Sequence, residues 1–414
     1  MSMEKGVRTQ EFIDRDFRFG ARNYAPLPVV IERGEGAFVW DVEGDRYYDM
    51  LSAYSAVNQG HCHPGILKAA KDQMDRLCLT SRAFHNNLMG YFLAKICELT
   101  GFEKALPMNS GAEGVETAIK VMRRWGYQKK GIPEGQAEII VCCENFHGRT
   151  TTIVGFSTDP GAREGYGPAT PGFRIVEYGN AEALAEAINP NTCGFLVEPI
   201  QGEAGVKVPD EDYLAEAREI CTRENVLLCA DEIQTGLGRT GKMFCFEHSG
   251  IRPDIVIMGK ALSGGVYPIS AIACDNHIME VFTPGSHGST YGGNPLASAI
   301  GMAALDVIVD EDLPAQAAEK GAYLVSKLEG LKHPAVKEVR GKGLLVAIEF
   351  HKPIAKRFCK EMKKEGVLAK DTHDVTVRFA PPLVITMEQL DDAFARISRA
   401  LEKLAVENQE GSGE

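Results

Sequence analysis

The 414-residue sequence holds 11 cysteines but no C-x-x-C pair and no Cys/His spacing of the zinc type, which excludes the usual structural metal frameworks. Cys229 and Cys274 fall inside apolar runs and read as buried hydrophobes of a reducing compartment. Cys142-Cys143 ends a strand pattern, where packing is a simpler account than redox chemistry. No uncharged apolar stretch approaches the ~18 residues of a membrane-spanning helix. Positive charge is in deficit: 45 Lys and Arg face 57 Asp and Glu, a formal net charge of −12. That balance argues against a nucleic-acid or anionic-membrane partner. The N-terminus lacks an apolar signal core, and Glu4, Glu11, Asp14 and Asp16 interrupt a basic transit helix. A cytoplasmic location is expected, a removed mitochondrial presequence being the alternative.

What the sequence does have is the balance of an ordinary globular protein, 44% hydrophobic and 25% charged, with length for a large core and a second, smaller domain. Residues 226–265 organise it. Val226-Leu227-Leu228-Cys229-Ala230 is a continuous apolar run stopping at Asp231; Ile255-Val256-Ile257-Met258 stops at Gly259-Lys260 and then at Ser263-Gly264-Gly265. Such runs read as strands of a parallel sheet covered on both faces, which presents ligands at the carboxyl ends of its strands. Asp231 and Lys260 are therefore expected to face one crevice. A lysine able to form a Schiff base and an Asp able to hold a pyridinium nitrogen suit pyridoxal 5'-phosphate. Taken alone, the two residues read first as ordinary strand-end charges, and the residues around them change the balance.

Other segments converge on the same chemistry. Residues 29–50 carry three short strand patterns, a small antiparallel meander, flanked by loops holding Tyr24 and Tyr54. His61 and His63, followed by Pro64, read as turn residues. Helical spacing is expected over 65–79 and 88–99. A strand at 104–108 runs through Asn109-Ser110-Gly111-Ala112-Glu113-Gly114 into a helix ending at Trp125, the arrangement of an anion site at a helix N-terminus. The strand at 138–143 leads to Phe146 and Arg149, a stacking face and a carboxylate fork. The strand pattern near 194 ends at Glu198, with Glu203 in a Gly-flanked loop beyond it. Helices near 182–188 and 213–224 alternate with these strands in the doubly wound α/β pattern. Gly236-Leu237-Gly238-Arg239-Thr240-Gly241 matches the dinucleotide fingerprint, but five residues separate it from the strand and no good helix follows, so a Rossmann dehydrogenase is rejected. Ser289 and Thr290 are phosphate donors or a plain loop. Helices are expected at 295–309 and on to 328. Then comes a smaller α+β unit with strands at 336–340, 343–350 and 375–379 and helices at 354–364 and 387–404, Arg378 lying at the end of its strand. The polar tail, NQEGSGE, is expected to be disordered.

The segments GAEGVETAIK, NFHGRT, VEPIQGEAG, ADEIQTGLGRTG, GKALSGG and GSTYGGNPL resemble, in order and spacing, the class III aminotransferases of the type I pyridoxal-phosphate fold. The resemblance spans about residues 20–405. NYAPLPVV, LSAYSAVNQGHCHP, LTSRAF, RRWGYQKKGIP and RFAPPLVI are most similar to the ornithine-specific branch of that class, where a Trp often stands at the place of His147. The resemblance implies a large, mostly parallel doubly wound domain at 61–310 and a small α+β domain built from 1–60 and 311–405, with a tail at 406–414. It implies a homodimer with shared sites acting on the small molecules ornithine and 2-oxoglutarate. It further implies that Lys260 forms the Schiff base, Asp231 holds the ring nitrogen, Gln234 meets the phenolic oxygen and Phe146 stacks on the ring. Glu198 would join the cofactor wall, Ser110, Gly111 and Ala112 cradle the phosphate, and Ser289 and Thr290 complete the cradle, Thr290 from the neighbouring subunit. Arg149 and Tyr24 would clamp a distant carboxylate, Tyr54 wall the α-amine, and Glu203 mask or free Arg378. Transaminases for acetylornithine or 4-aminobutyrate, and a non-catalytic scaffold of the same fold, are the alternatives.

Overall fold

The protein, a computed structural model, is described over residues 6–410, with side chains to residue 404. Its first strands, β1 (Ile31–Glu35), β2 (Phe38–Asp41) and β3 (Arg46–Asp49), form the expected meander. Seven strands make the central sheet: β4 (Lys104–Met108), β5 (Glu138–Cys142), β6 (Phe173–Val176), β7 (Thr192–Val197), β8 (Leu227–Asp231), β9 (Ile255–Met258) and β10 (Ser270–Cys274). Their spatial order is β4-β10-β9-β8-β7-β5-β6. β10 runs antiparallel to both neighbours, whereas β9, β8, β7, β5 and β6 are mutually parallel. A mixed sheet with a parallel heart is the mostly parallel architecture expected. The remaining strands are β11 (Val336–Lys342), β12 (Leu345–Phe350), β13 (Val367–Leu368), β14 (Lys370–Thr372) and β15 (Thr376–Phe379). β11, β12, β15 and β14 form a sheet of their own, while β13 pairs in parallel with β3 and so joins the two chain ends.

Every residue of β7, β8 and β9 is buried, as a strand covered on both faces requires. One cover is the helix Gly111–Trp125, which packs on β9 and β10. Its buried Val115, Ala118, Ile119 and Met122 recur at helical spacing. A capping box starts it: the Ser110 hydroxyl accepts from Glu113 N–H at 3.2 Å and the Glu113 carboxylate from Ser110 N–H at 2.7 Å. Asn294 caps the helix Pro295–Asp310 by a single bond, its Oδ1 accepting from Ala297 N–H at 2.8 Å, with proline in the first turn. The strand expected at 104–108 and the helix end expected at Trp125 coincide with the structure, whereas the expectations do not include the small strands β6, β10 and β13 or the helix Val7–Phe19, none of whose residues is buried. The last helix, Met387–Glu410, extends into the stretch assigned to the tail, and 411–414 lie outside the described residues. No helix among the described residues is long and apolar enough to cross a membrane.

The glycine-rich stretch that mimics a dinucleotide fingerprint is a loop that locks the sheets together. Arg239 within it is fully buried and donates to Leu344 O at 2.8 Å, Pro381 O at 2.6 Å and Asn58 Oδ1 at 2.5 Å. Burial disfavours the charge and pulls its pKa down to about 9, yet removing the side chain orphans three buried acceptors and opens a cavity. The second cost outweighs the first. Arg239→Ala is expected to lower the free energy of unfolding by about 3–5 kcal/mol, measured by urea denaturation; a loss below about 1 kcal/mol would show that the guanidinium's desolvation cancels its bonds.

Candidate active site

β8 and β9 are paired so that Asp231 lies opposite Ile257. Three residues further on, past the extended Gly259, Lys260 opens a short 3-10 turn with φ of 43°. β7 pairs with β8 through Val197 and Ala230, which puts Glu198 beside Asp231. Together with Gly111, Ala112, Phe146, Glu203 and Gln234, these residues line one cavity of about 210 Å³. Of the residues singled out in the sequence, those are brought together directly. Arg378 reaches the cavity's edge from β15, donating to Gly202 O at 3.0 Å and to Glu203 Oε1 at 2.7 Å. Gln234 Nε2 donates to the same Glu203 oxygen at 3.1 Å. Gly202 has to be glycine for this: a Cβ there would stand 1.4 Å from Gln234 Oε1.

Ser110, Ser289 and Thr290 do not line this cavity. Ser110 caps the helix above it, Ser289 Oγ accepts from Asn109 Nδ2 at 2.9 Å near the same helix start, and Thr290 is exposed. Tyr24, Tyr54 and Arg149 line a larger space of about 1000 Å³. The two spaces are linked by side chains, since the Arg149 guanidinium lies 5.5 Å from the Phe146 ring centre and that of Arg378 lies 5.6 Å from the Tyr54 ring. His61 and His63, expected as turn residues, are bonded: His61 Nε2 pairs with Asp49 Oδ2 at 2.7 Å and His63 Nε2 with Glu311 Oε1 at 3.0 Å.

His147, to which the sequence pattern assigns no role, belongs to the site. Its Nδ1 pairs with Asp231 Oδ2 at 2.6 Å in a fully buried setting, while Ile233 N–H donates to Asp231 Oδ1 at 3.1 Å. Burial works against charge on this imidazole, but Asp231, with Glu198 adding to it, holds its pKa above the ordinary value. The signal was present, an imidazole next to Phe146 at a strand end. The missing fact was the strand order, which places β5 one strand away from β8 across β7.

Burial governs the other ionisable groups. It pulls the Lys260 amine below its usual pKa against the attraction of Glu203, making the free amine more accessible. Glu198 is pushed up to about 8 by burial, with Asp231 adding to the rise, while His147 and the Phe146 N–H, which donates to it at 2.9 Å, oppose. Glu203 is the opposite case: burial would raise it, but Arg378 and Lys260 bring it down to about 2.

This set fits pyridoxal phosphate on structural grounds. Phe146 offers a ring face, and the Asp231 carboxylate, held by two donors, can meet a ring nitrogen. The first-turn N–H groups of Gly111 and Ala112 have no intrahelical partner and suit a phosphate. Lys260 supplies the amine. A sheet that gathers these groups at the ends of parallel strands defines an enzyme of the pyridoxal-phosphate transferase type. The chain belongs to the class-III aminotransferases, whose family model matches residues 19–401.

Known proteins resemble it along nearly its whole length. The ornithine aminotransferase of Brevibacillus brevis is 55% identical over 394 residues, covering 95% of this chain and 98% of that protein. A Toxoplasma gondii ornithine aminotransferase, whose structure has partial occupancy of pyridoxal phosphate at its active site, superposes with a TM-score of 0.95 at 44% identity, covering 98% of this chain and 96% of that one. An acetylornithine aminotransferase from Elizabethkingia anophelis gives 0.88 at 50% identity, covering 95% and 99%.

The raised pKa of Glu198 has a signed consequence. The folded state keeps a proton that the unfolded chain releases in the ordinary carboxyl range, so this contribution to stability is complete at low pH and is lost as pH rises towards about 8. Between those limits the cofactor-free protein is expected to lose about 1.4 kcal/mol per pH unit through this one proton. Glu198→Gln should remove that component in urea titrations at a series of pH values. Parallel curves for the two proteins would contradict the assignment.

Proposed function

We propose that the protein transfers the terminal (δ) amino group of L-ornithine to 2-oxoglutarate, giving glutamate and glutamate 5-semialdehyde, which cyclises to pyrroline-5-carboxylate, by a ping-pong route that uses pyridoxal 5'-phosphate. The observation that carries this reading is the buried Arg378–Glu203 pair beside Tyr54 at the edge of the Lys260 cavity. Arg378 engages Glu203 through one terminal nitrogen, while its buried Nε has no protein partner. The guanidinium is thus only partly engaged by protein, as suits a site that handles a mono- and a dicarboxylate in turn.

When bound, pyridoxal phosphate supplies an electron sink for cleavage of bonds at the carbon bearing the amine. The protein's residues do the rest. Lys260 would attach the cofactor and, with its pKa lowered, would move the proton between the substrate carbon and the cofactor's C4′ carbon, so that the amino group leaves one and is carried by the other. Asp231, oriented by His147 and Ile233 N–H, would hold the ring nitrogen, with Gln234 for the phenolic oxygen, Phe146 for a ring face and Glu198 as part of the cofactor wall. Gly111 and Ala112, with Ser110 at the helix cap, would hold the phosphate. Ser289 would complete that cradle, as would Thr290 from the neighbouring subunit of a homodimer, in keeping with Thr290 being exposed and off the cavity in one chain. Large exposed apolar side chains such as Phe84 and Tyr91 are available for such an interface.

Substrate handling follows from charge. Ornithine reacts through its terminal amine, so its carboxylate must be held far from Lys260, by Arg149 and Tyr24, with Tyr54 near the α-amine. Masked by Glu203, Arg378 offers no free cation to draw that carboxylate inward. A glutamate held at about 2 stays ionised throughout the working range, so protonation does not open the pair. A competing carboxylate does, and 2-oxoglutarate brings a second one. The alternative donor, acetylornithine, has the same carboxylate and terminal amine but no free α-amine for Tyr54, and the 50% identity to the Elizabethkingia enzyme favours including it in the test.

Glu203→Ala is expected to raise reaction at the α-amine relative to the terminal amine by about tenfold or more, read from the products of ornithine turnover. An unchanged ratio would contradict the masking role. In a donor panel the wild-type protein should show its highest kcat/KM with ornithine; a higher value with acetylornithine would favour the second reading.

A further inference from the structure

Asp49 and His61 line the same cavity as Tyr24, Tyr54 and Arg149, and the transfer chemistry uses neither. Between them and Tyr54 lies an unusual piece of backbone. Ser52, Ala53, Tyr54 and Ser55 have φ of 52°, 49°, 62° and 71°, four successive left-handed residues with no glycine among them. L-residues other than Gly, Asn and Asp rarely adopt this conformation even singly, so the surroundings must impose it.

The restraints can be read off the hydrogen bonds. Asp49 Oδ1 accepts the N–H groups of Leu51 and Ser52, each at 2.9 Å, fixing the entry to the turn. The Ser52 hydroxyl donates to Ala380 O at 2.6 Å, tying the turn to the segment just after Arg378. The other Asp49 oxygen, Oδ2, bonds His61 Nε2 at 2.7 Å. His61 is itself immobilised: its backbone exchanges bonds with Gly36 at 2.9 and 3.1 Å. Its ring lies so close to Gly34 that a Cβ there would meet imidazole atoms at 2.8–2.9 Å. A continuous set of contacts therefore runs from β1 through His61 and Asp49 to the strained turn, and from Tyr54 to the Arg378 guanidinium.

We propose that Asp49 and His61 are positioning residues that hold the 52–55 turn in its left-handed form, fix the Tyr54 ring against Arg378, and so determine how the far end of the substrate is bound. The proposal rests on the reading of Tyr54 as a wall of the ornithine site. Without the pair the turn relaxes to right-handed backbone and carries the ring away, while Lys260 and Asp231, on other elements, stay in place. The effect should fall on binding of the amino donor and not on the chemical step.

Steady-state kinetics of the holoenzyme with ornithine and 2-oxoglutarate test this. His61→Leu and, independently, Gly34→Ala, which displaces the imidazole without touching its chemistry, are expected to raise the KM for ornithine about tenfold with kcat within about threefold of wild type. His61→Gln, which restores a donor of similar reach, should recover most of the loss. In a Tyr54→Ala background, His61→Leu should add nothing further, because both act through one ring. An unaltered KM in Gly34→Ala and in soluble His61→Leu, a loss confined to kcat, or effects that multiply with Tyr54→Ala would each overturn the proposal. Should Tyr54→Ala alone leave the KM unchanged, the premise about Tyr54 fails and the proposal falls with it. A raised KM in Tyr54→Ala beside a normal one in the His61 and Gly34 variants would overturn the positioning role and leave the premise standing.

Discussion

The register between two parallel strands is the constraint on which the site depends. Asp231 ends β8 opposite Ile257 of β9, and Lys260 follows two residues after β9 ends. A shift of one residue in either strand would turn every side chain to the opposite face of the sheet. Full burial on both faces makes such a shift costly, because it would press Asp231 into apolar packing and expel residues of the core. The hydrophobic effect acting on Leu227, Leu228, Val256 and Ile257, far weaker per atom than a salt bridge but summed over the whole sheet, therefore positions the charged chemistry at its edge.

Several ionisable groups then share a small space, and the structure accommodates them by three different means. Asp231 is given donors, from His147 and from the backbone. Glu198, buried with a carboxylate as neighbour, is driven towards its neutral form, which removes the repulsion. Glu203 remains charged because Arg378 and Lys260 outweigh its desolvation. A buried ion pair seldom adds much net stability, since the attraction is largely offset by lost hydration. The Glu203–Arg378 pair is better understood as a reversible mask whose partner can be exchanged. Close balance between desolvation and attraction is the property that allows a substrate carboxylate to compete.

Much of this was legible in the sequence where local pattern carries the information. The apolar runs before Asp231 and Lys260, the turn at Ser110 and the helix to Trp125 are set by neighbours in the chain, and the structure has them where periodicity put them. Arg378 and Glu203 could be picked out as strand-end and loop charges; their contact at 2.7 Å joins residues on two different sheets and has no local signature beyond the family resemblance. His147 was passed over because its partner lies on a strand two places away in the sheet. The left-handed turn at 52–55 was equally invisible, since nothing in Ser-Ala-Tyr-Ser favours positive φ; bonds from Asp49 and to Ala380 impose it. β13 is two residues long and owes its existence to β3.

The central claim is that one amine, placed by the β8–β9 register, carries the coenzyme. Reducing the pyridoxal-phosphate-loaded protein with borohydride and mapping its peptides tests it most directly. The account predicts a stable pyridoxyl adduct on Lys260 and on no other lysine. An adduct elsewhere, with Lys260 unmodified, would contradict it.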